Sequence, residues 1–86
     1  MEFEGLEAWK QARALVTMIY GIEGQLDKDF GLRRQIRNAA VSVMTNIAEG
    51  FERWHTNETK QFYNIARASC GEVRSLNYVL LDANYV

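Results

Sequence analysis

No proline occurs among the 86 residues of this chain, and that absence does most to narrow what it can fold into. A proline inside a helix removes a backbone donor and clashes with the preceding turn, so a chain without one can run long uninterrupted helices. The apolar residues use that freedom. In three segments they recur at spacings of three and four, which places them on one face of a helix. Leu6, Trp9, Ala12, Val16, Ile19 and Tyr20 form the first stripe, with Glu7, Lys10, Gln11 and Arg13 opposite, and predict a helix over about residues 6–22. Ile36, Ala40, Val43 and Ile47 predict a second over about 30–49. Phe62, Ile65, Ala66, Ser69, Val73, Leu76, Leu80 and Ala83 predict a third over about 58–83. At 1.5 Å per residue this last helix is ~39 Å long, more than the diameter of a compact chain of this size. The expected fold is all-α: an elongated, antiparallel up-down bundle of three long helices forming one domain over residues 1–86.

The punctuation fits that division. Gly24–Lys28 reads as a connection, and Asp27 or Asp29 can cap the second helix by accepting from its first amides. Gly50 is suited to ending that helix in a left-handed conformation. Residues 51–57 form the second connection, where Thr56 or Asn57 can cap the third helix and Glu58 meets its positive end.

Composition excludes several classes. The formal net charge is −1 and the pI about 5.8, so the whole molecule is not a polycation. The single cysteine, Cys70, rules out an internal disulfide framework and a multi-thiolate metal site within one chain. The opening MEFEGLEAW has neither the basic nor the apolar region of a signal peptide. No stretch approaches the roughly 20 apolar residues that cross a bilayer. A cytoplasmic protein without membrane contact is expected.

Candidate sites are interaction surfaces. On the second helix Asn38, Ser42, Asn46, Glu49 and Arg53 make a polar stripe beside the apolar one. Asn46, Glu49 and Arg53 are expected to form a helix–helix polar network, with Glu49 four residues before Arg53 in the favourable order for an ion pair. Arg33, Arg34 and Arg37 lie within one and a half turns and are the best candidates for nucleic-acid phosphate, against the plainer reading that they solvate a helix and pair with nearby glutamates. The third helix carries a second apolar line, Tyr63, Cys70, Tyr78, Leu81 and Tyr85. In a three-helix monomer much of it would face water, which marks an interface, and Trp54 in the preceding loop is a plausible anchor for one. His55 stands alone, and no nucleophile elbow, phosphate loop or metal-ligand spacing occurs. No enzymatic activity, cofactor or metal is expected.

Several segments also carry a resemblance. QIRNAAVSV at Gln35–Val43 and NIAEGFER at Asn46–Arg53 closely resemble the signature of the bacterial four-helix-bundle family of 23S rRNA-intervening sequence proteins. LEAWKQA at Leu6–Ala12, FYNIARASCGEV at Phe62–Val73 and LNYVLLDANYV at Leu76–Val86 look like that family's first-helix opening and third helix. The sequence departs from the pattern at Met44, where the family usually has proline, and the family's fourth helix is expected to be missing or supplied by a partner. The resemblance implies a homo-oligomer, pentameric in related rings. A further relative is the accessory protein of diversity-generating retroelements, which binds reverse transcriptase and nucleic acid. The expected function is thus a non-enzymatic scaffold or binding module, accessory to nucleic-acid-associated proteins; the alternative is direct binding of ribosomal or intervening-sequence RNA.

Overall fold

The computed structural model describes residues 2–53 and 57–86. A 3-10 turn at Phe3–Gly5 leads into four α-helices: α1 (Glu7–Tyr20), α2 (Gln25–Lys28), α3 (Phe30–Glu52) and α4 (Glu58–Asp82). No strand occurs among the described residues. The body is elongated, 44 × 20 × 17 Å, as the 25 residues of α4 require at ~1.5 Å each. α3 runs without interruption through Met44.

The centre of the architecture is α3. Both α1 and α4 pack along it, while α1 and α4 hardly meet each other. The tightest packing gathers at one end, where Ile19, Leu26, Ile36, Ala40, Val73, Leu76 and Leu80 form a continuous cluster. Leu26, Ile36 and Leu80 are almost wholly removed from water, and each such side chain contributes roughly 1.5–3 kcal/mol. Towards the other end the buried residues Ala12, Ala66 and Val43 are smaller, with buried Trp9 the exception, meeting Phe3 edge to face at 5.3 Å.

Three local details differ from the expectation, and the Asp29 cap agrees with it. The Gly24–Lys28 connection contains the short helix α2, because Leu26 turns inward and becomes core. Gly24 enters it at φ +89°, and its N–H donates to the Asp27 carboxylate at 3.3 Å. At the start of α3 it is Asp29 that caps, accepting from the Leu32 N–H at 3.2 Å. Gly50 does not end α3: the helix continues to Glu52, and among the described residues only Gly24 and Asn84 have positive φ. Gly50 is instead buried against α4, since a Cβ there would lie 2.5 Å from Cε1 of Tyr63 and 3.3 Å from the Thr59 carbonyl oxygen. Asn57 precedes α4 without any side-chain cap bond, and Thr59 Oγ1 donates to the Arg53 carbonyl instead. Thr56 lies outside the described residues.

The stripes are narrower than their spacing implied. Tyr20 is 47% exposed and Ile65 41%, Ala83 is exposed, and Ile47 is only half-buried. With just one neighbouring helix each, α1 and α4 have no second surface to cover the flanks of their apolar faces. α4 ends in a Schellman arrangement. Asn84 adopts φ +60°, its N–H reaches the Leu81 carbonyl at 3.1 Å, and the Tyr85 N–H reaches that of Leu80 at 2.9 Å. Tyr85 folds back on the core cluster and donates its hydroxyl proton to Asp29 Oδ2 at 3.1 Å.

Candidate functional site

Because α1 and α4 share α3 without closing on each other, a groove runs between them. It encloses about 590 Å³ and is lined by Leu6, Ala8, Ala12 and Leu15 at the α1 side, Val43 and Ile47 of α3, and Tyr63, Ala66 and Cys70 of α4, with Gln11 and Arg67 the polar members. Alanine on the α1 and α4 sides keeps those walls thin. Ile47 and Leu15 point apolar surface into the space and remain half-exposed, which costs the burial they would gain under a cover.

The expected interface residues divide between places. Tyr63 and Cys70 line the groove. Tyr78 and Leu81 lie further along α4, 64% and 55% exposed, outside the groove. Tyr85 is half-buried against the protein's own core, and its outward role is corrected accordingly: the turn at Asn84 reverses the chain and directs the ring back. Trp54 and His55 lie outside the described residues.

From Ser42 onward the polar stripe of α3 sits at the α3–α4 contact. Asn46 Nδ2 donates to the Ser42 carbonyl at 2.8 Å and to Ser42 Oγ at 3.0 Å, and Ser42 Oγ is hydrogen-bonded to Ser69 Oγ of α4 at 2.8 Å. The Ser42–Ser69 bond crosses between helices, so neither serine is exchangeable for a purely apolar residue without leaving a polar partner unmatched. Glu49 pairs with Arg53 at 3.3 Å, and Arg53 also reaches Glu58 at 3.5 Å and covers the Phe62 ring. Asn46 and the Glu49–Arg53 pair thus belong to two separate clusters, and the Asn46 cluster works through Ser42 and Ser69. Ser69 sat in the apolar stripe by spacing; its pairing depends on which turn of α3 faces it, which spacing alone does not disclose.

Arg33, Arg34 and Arg37 line a second concavity with Tyr20, Phe30 and Asn38. Arg33 is partly compensated by Asp27, 3.8 Å away. The hydrogen bond to Asp29, then burial and the charge of that carboxylate, raise the Tyr85 phenol above its usual value. Among the described residues no cluster of histidine, cysteine and carboxylates could hold a metal ion, and no helix is long and apolar enough to cross a membrane.

Three helices around an open apolar groove, tied by short hydroxyl and amide contacts, define a small all-α protein of the helical-bundle class. Its family is shown by its sequence profile: residues 4–86 match the family described as 23S rRNA-intervening sequence protein, and the chain belongs to that family. No curated protein and no solved structure matches it.

Proposed function

We propose that this protein is a non-enzymatic binding module whose three long helices form an antiparallel up-down bundle with one side left open, and that it self-associates by covering that side with a second copy. The groove between α1 and α4 carries the reading: about 590 Å³ of mainly apolar space along the body. Tyr78, Val79 and Leu81 further along α4 are exposed as well, and apolar surface of this kind on a small protein marks an interface. The antiparallel course is supported by the contacts of Gly50 with Tyr63, Ser42 with Ser69 and Asp29 with Tyr85, in which residue numbers rise on α3 as they fall on α4. The rings that the family resemblance implies agree with self-association, and the free Cys70 thiol agrees with a cytoplasmic setting.

Size-exclusion chromatography with light scattering tests this. The wild-type protein should elute at a multiple of the 9.9 kDa chain mass. Ala8→Arg, an exposed groove-edge position, should return it to the single-chain mass while leaving helical content unchanged. A single-chain mass for the wild type at tens of micromolar refutes the reading, because specific interfaces are filled at that level.

A further inference from the structure

We propose that the concavity between the end of α1 and the first turns of α3 binds single-stranded nucleic acid, with Tyr20 and Phe30 stacking on bases and Arg33, Arg34 and Arg37 holding phosphates. The site lies wholly within one chain and shares no residue with the groove, so it does not depend on self-association. It encloses about 420 Å³ and is lined by those five residues and Asn38.

The first observation is the rings. Tyr20 is 47% exposed and Phe30 66%, although the core cluster begins next door at Ile19. Each ring has a guanidinium over it: Arg37 lies 4.4 Å from the centroid of Tyr20, and Arg33 5.2 Å from that of Phe30. A cation on one face fixes the ring and leaves the other face for a further flat group. Nucleobases stack on such platforms whatever their sequence, because every base has a π-face.

The second observation is charge without partners. Asp27 is the acid facing the cluster; its carboxylate lies 3.8 Å from Arg33 and its carbonyl accepts from Arg33 Nη1 at 3.4 Å. Asp29, next along, is turned to the Leu32 N–H and the Tyr85 hydroxyl. Three arginines against Asp27 leave an excess of two positive charges on a chain whose formal total is −1. Among the described residues Arg34 and Arg37 have no ion pair. Held against Tyr20, the Arg37 guanidinium brings to the pocket a positive charge that no carboxylate pairs with. Phosphate oxygens match that charge in the forked geometry arginine prefers. Asn38 adds an amide that both donates and accepts, suited to a base edge. An acidic peptide would use the arginines and leave both rings idle. A duplex, with its bases stacked internally, would do the same.

Fluorescence anisotropy with labelled oligo-U and oligo-dT, and with a duplex of equal length, tests the proposal. Both single strands should bind, more tightly than the duplex. Three phosphate contacts predict that log Kd rises with log salt at a slope of about 2, from roughly 0.7 per contact on single strands. Tyr20→Leu with Phe30→Leu should weaken binding by about 5- to 150-fold per ring and leave the slope unchanged, since stacking releases no counterion. Replacing Arg33, Arg34 and Arg37 by Gln should weaken binding and flatten the slope. Circular dichroism checks that the ring variant stays helical; if it does not, Phe30→Leu alone, at the more exposed ring, serves in its place. Duplex binding as tight as single-strand binding, ring variants that bind like the wild type, or no binding of either strand at low salt would each overturn the proposal.

Discussion

Gly50→Ala separates two accounts of why a glycine stands inside NIAEG. Alanine in a helix interior is favoured over glycine by about 1 kcal/mol, so replacing an unconstrained helical glycine stabilises. At Gly50 the added Cβ would sit 2.5 and 2.6 Å from Cε1 and Cδ1 of Tyr63 and 3.3 Å from the Thr59 carbonyl oxygen. The Tyr63 ring, 40% exposed, must swing out and lose its contact with α3, and the backbone oxygen of Thr59 stays where it is. Overpacking of this kind costs roughly 1–3 kcal/mol, so the net effect runs from about zero to about 2 kcal/mol of destabilisation. Gly71 on α4 is the control: a Cβ there meets nothing within 4 Å, and Gly71→Ala should stabilise by about 1 kcal/mol. Thermal unfolding followed by circular dichroism reads the difference at about 4–8 °C per kcal/mol for a domain of this length. The Tyr63→Ala background completes the test, since removing the ring should take away most of the cost of Gly50→Ala. If Gly50→Ala raises Tm as much as Gly71→Ala does, the close approach of α4 at Gly50 is wrong. If it lowers Tm equally with and without Tyr63, the glycine is needed for its own backbone and not for its neighbour.

Leu80→Ala should cost about 2–5 kcal/mol, because Leu80 is 1% exposed within the core cluster; half-buried Ile47→Ala should cost clearly less in the single chain, and equal losses in urea midpoints would show that the groove is closed. Tyr85 supplies a pH test: its raised folded value means that the stability it contributes is complete below about pH 10, the unfolded phenol's value, and is lost as pH climbs through the higher folded value. The Tm advantage of wild type over Tyr85→Phe should therefore hold at neutral pH and shrink above about pH 10; an advantage that persists undiminished would mean that the Asp29 bond is not its source.

The helices themselves were legible because their buried positions obey one period. Trp9, Ala12 and Ile19, then Ile36, Ala40 and Val43, then Ala66, Val73, Leu76 and Leu80 are all buried as their spacing predicts. What spacing could not supply was how many neighbours each helix has. Tyr20 and Ile65 continue their stripes faithfully and stay largely in water, since no further helix packs against those flanks. Leu26 was invisible for the opposite reason: a single buried residue in a one-turn helix has no period to reveal it. Gly50 and Asn84 exchanged roles. The glycine that looked like a helix end serves close packing, and the left-handed end belongs to an asparagine, whose short polar side chain tolerates that conformation. Asn46 was identifiable as a contact residue from its place on the polar stripe, whereas the Ser42–Ser69 bond depends on the helix–helix register. The arginines were visible as a group, but Tyr20, seventeen positions before Arg37, joins them only through the packing of α1 on α3.

The crowding of large buried side chains at one end also has a dynamic side. Proteins open in pieces, and the piece that opens most readily is the one with the fewest buried apolar contacts. Here the amide protons of α3 near Ile36 should exchange only when the whole chain unfolds, while those of the first turns of α1, resting on Trp9 with the smaller Ala12, Val43 and Ala66, should exchange through a smaller local event. Swinging α1 away at that end would widen the groove without disturbing Leu26 or Leu80. The molecule therefore has a hard end that sets its lifetime and a soft end that can change shape within it.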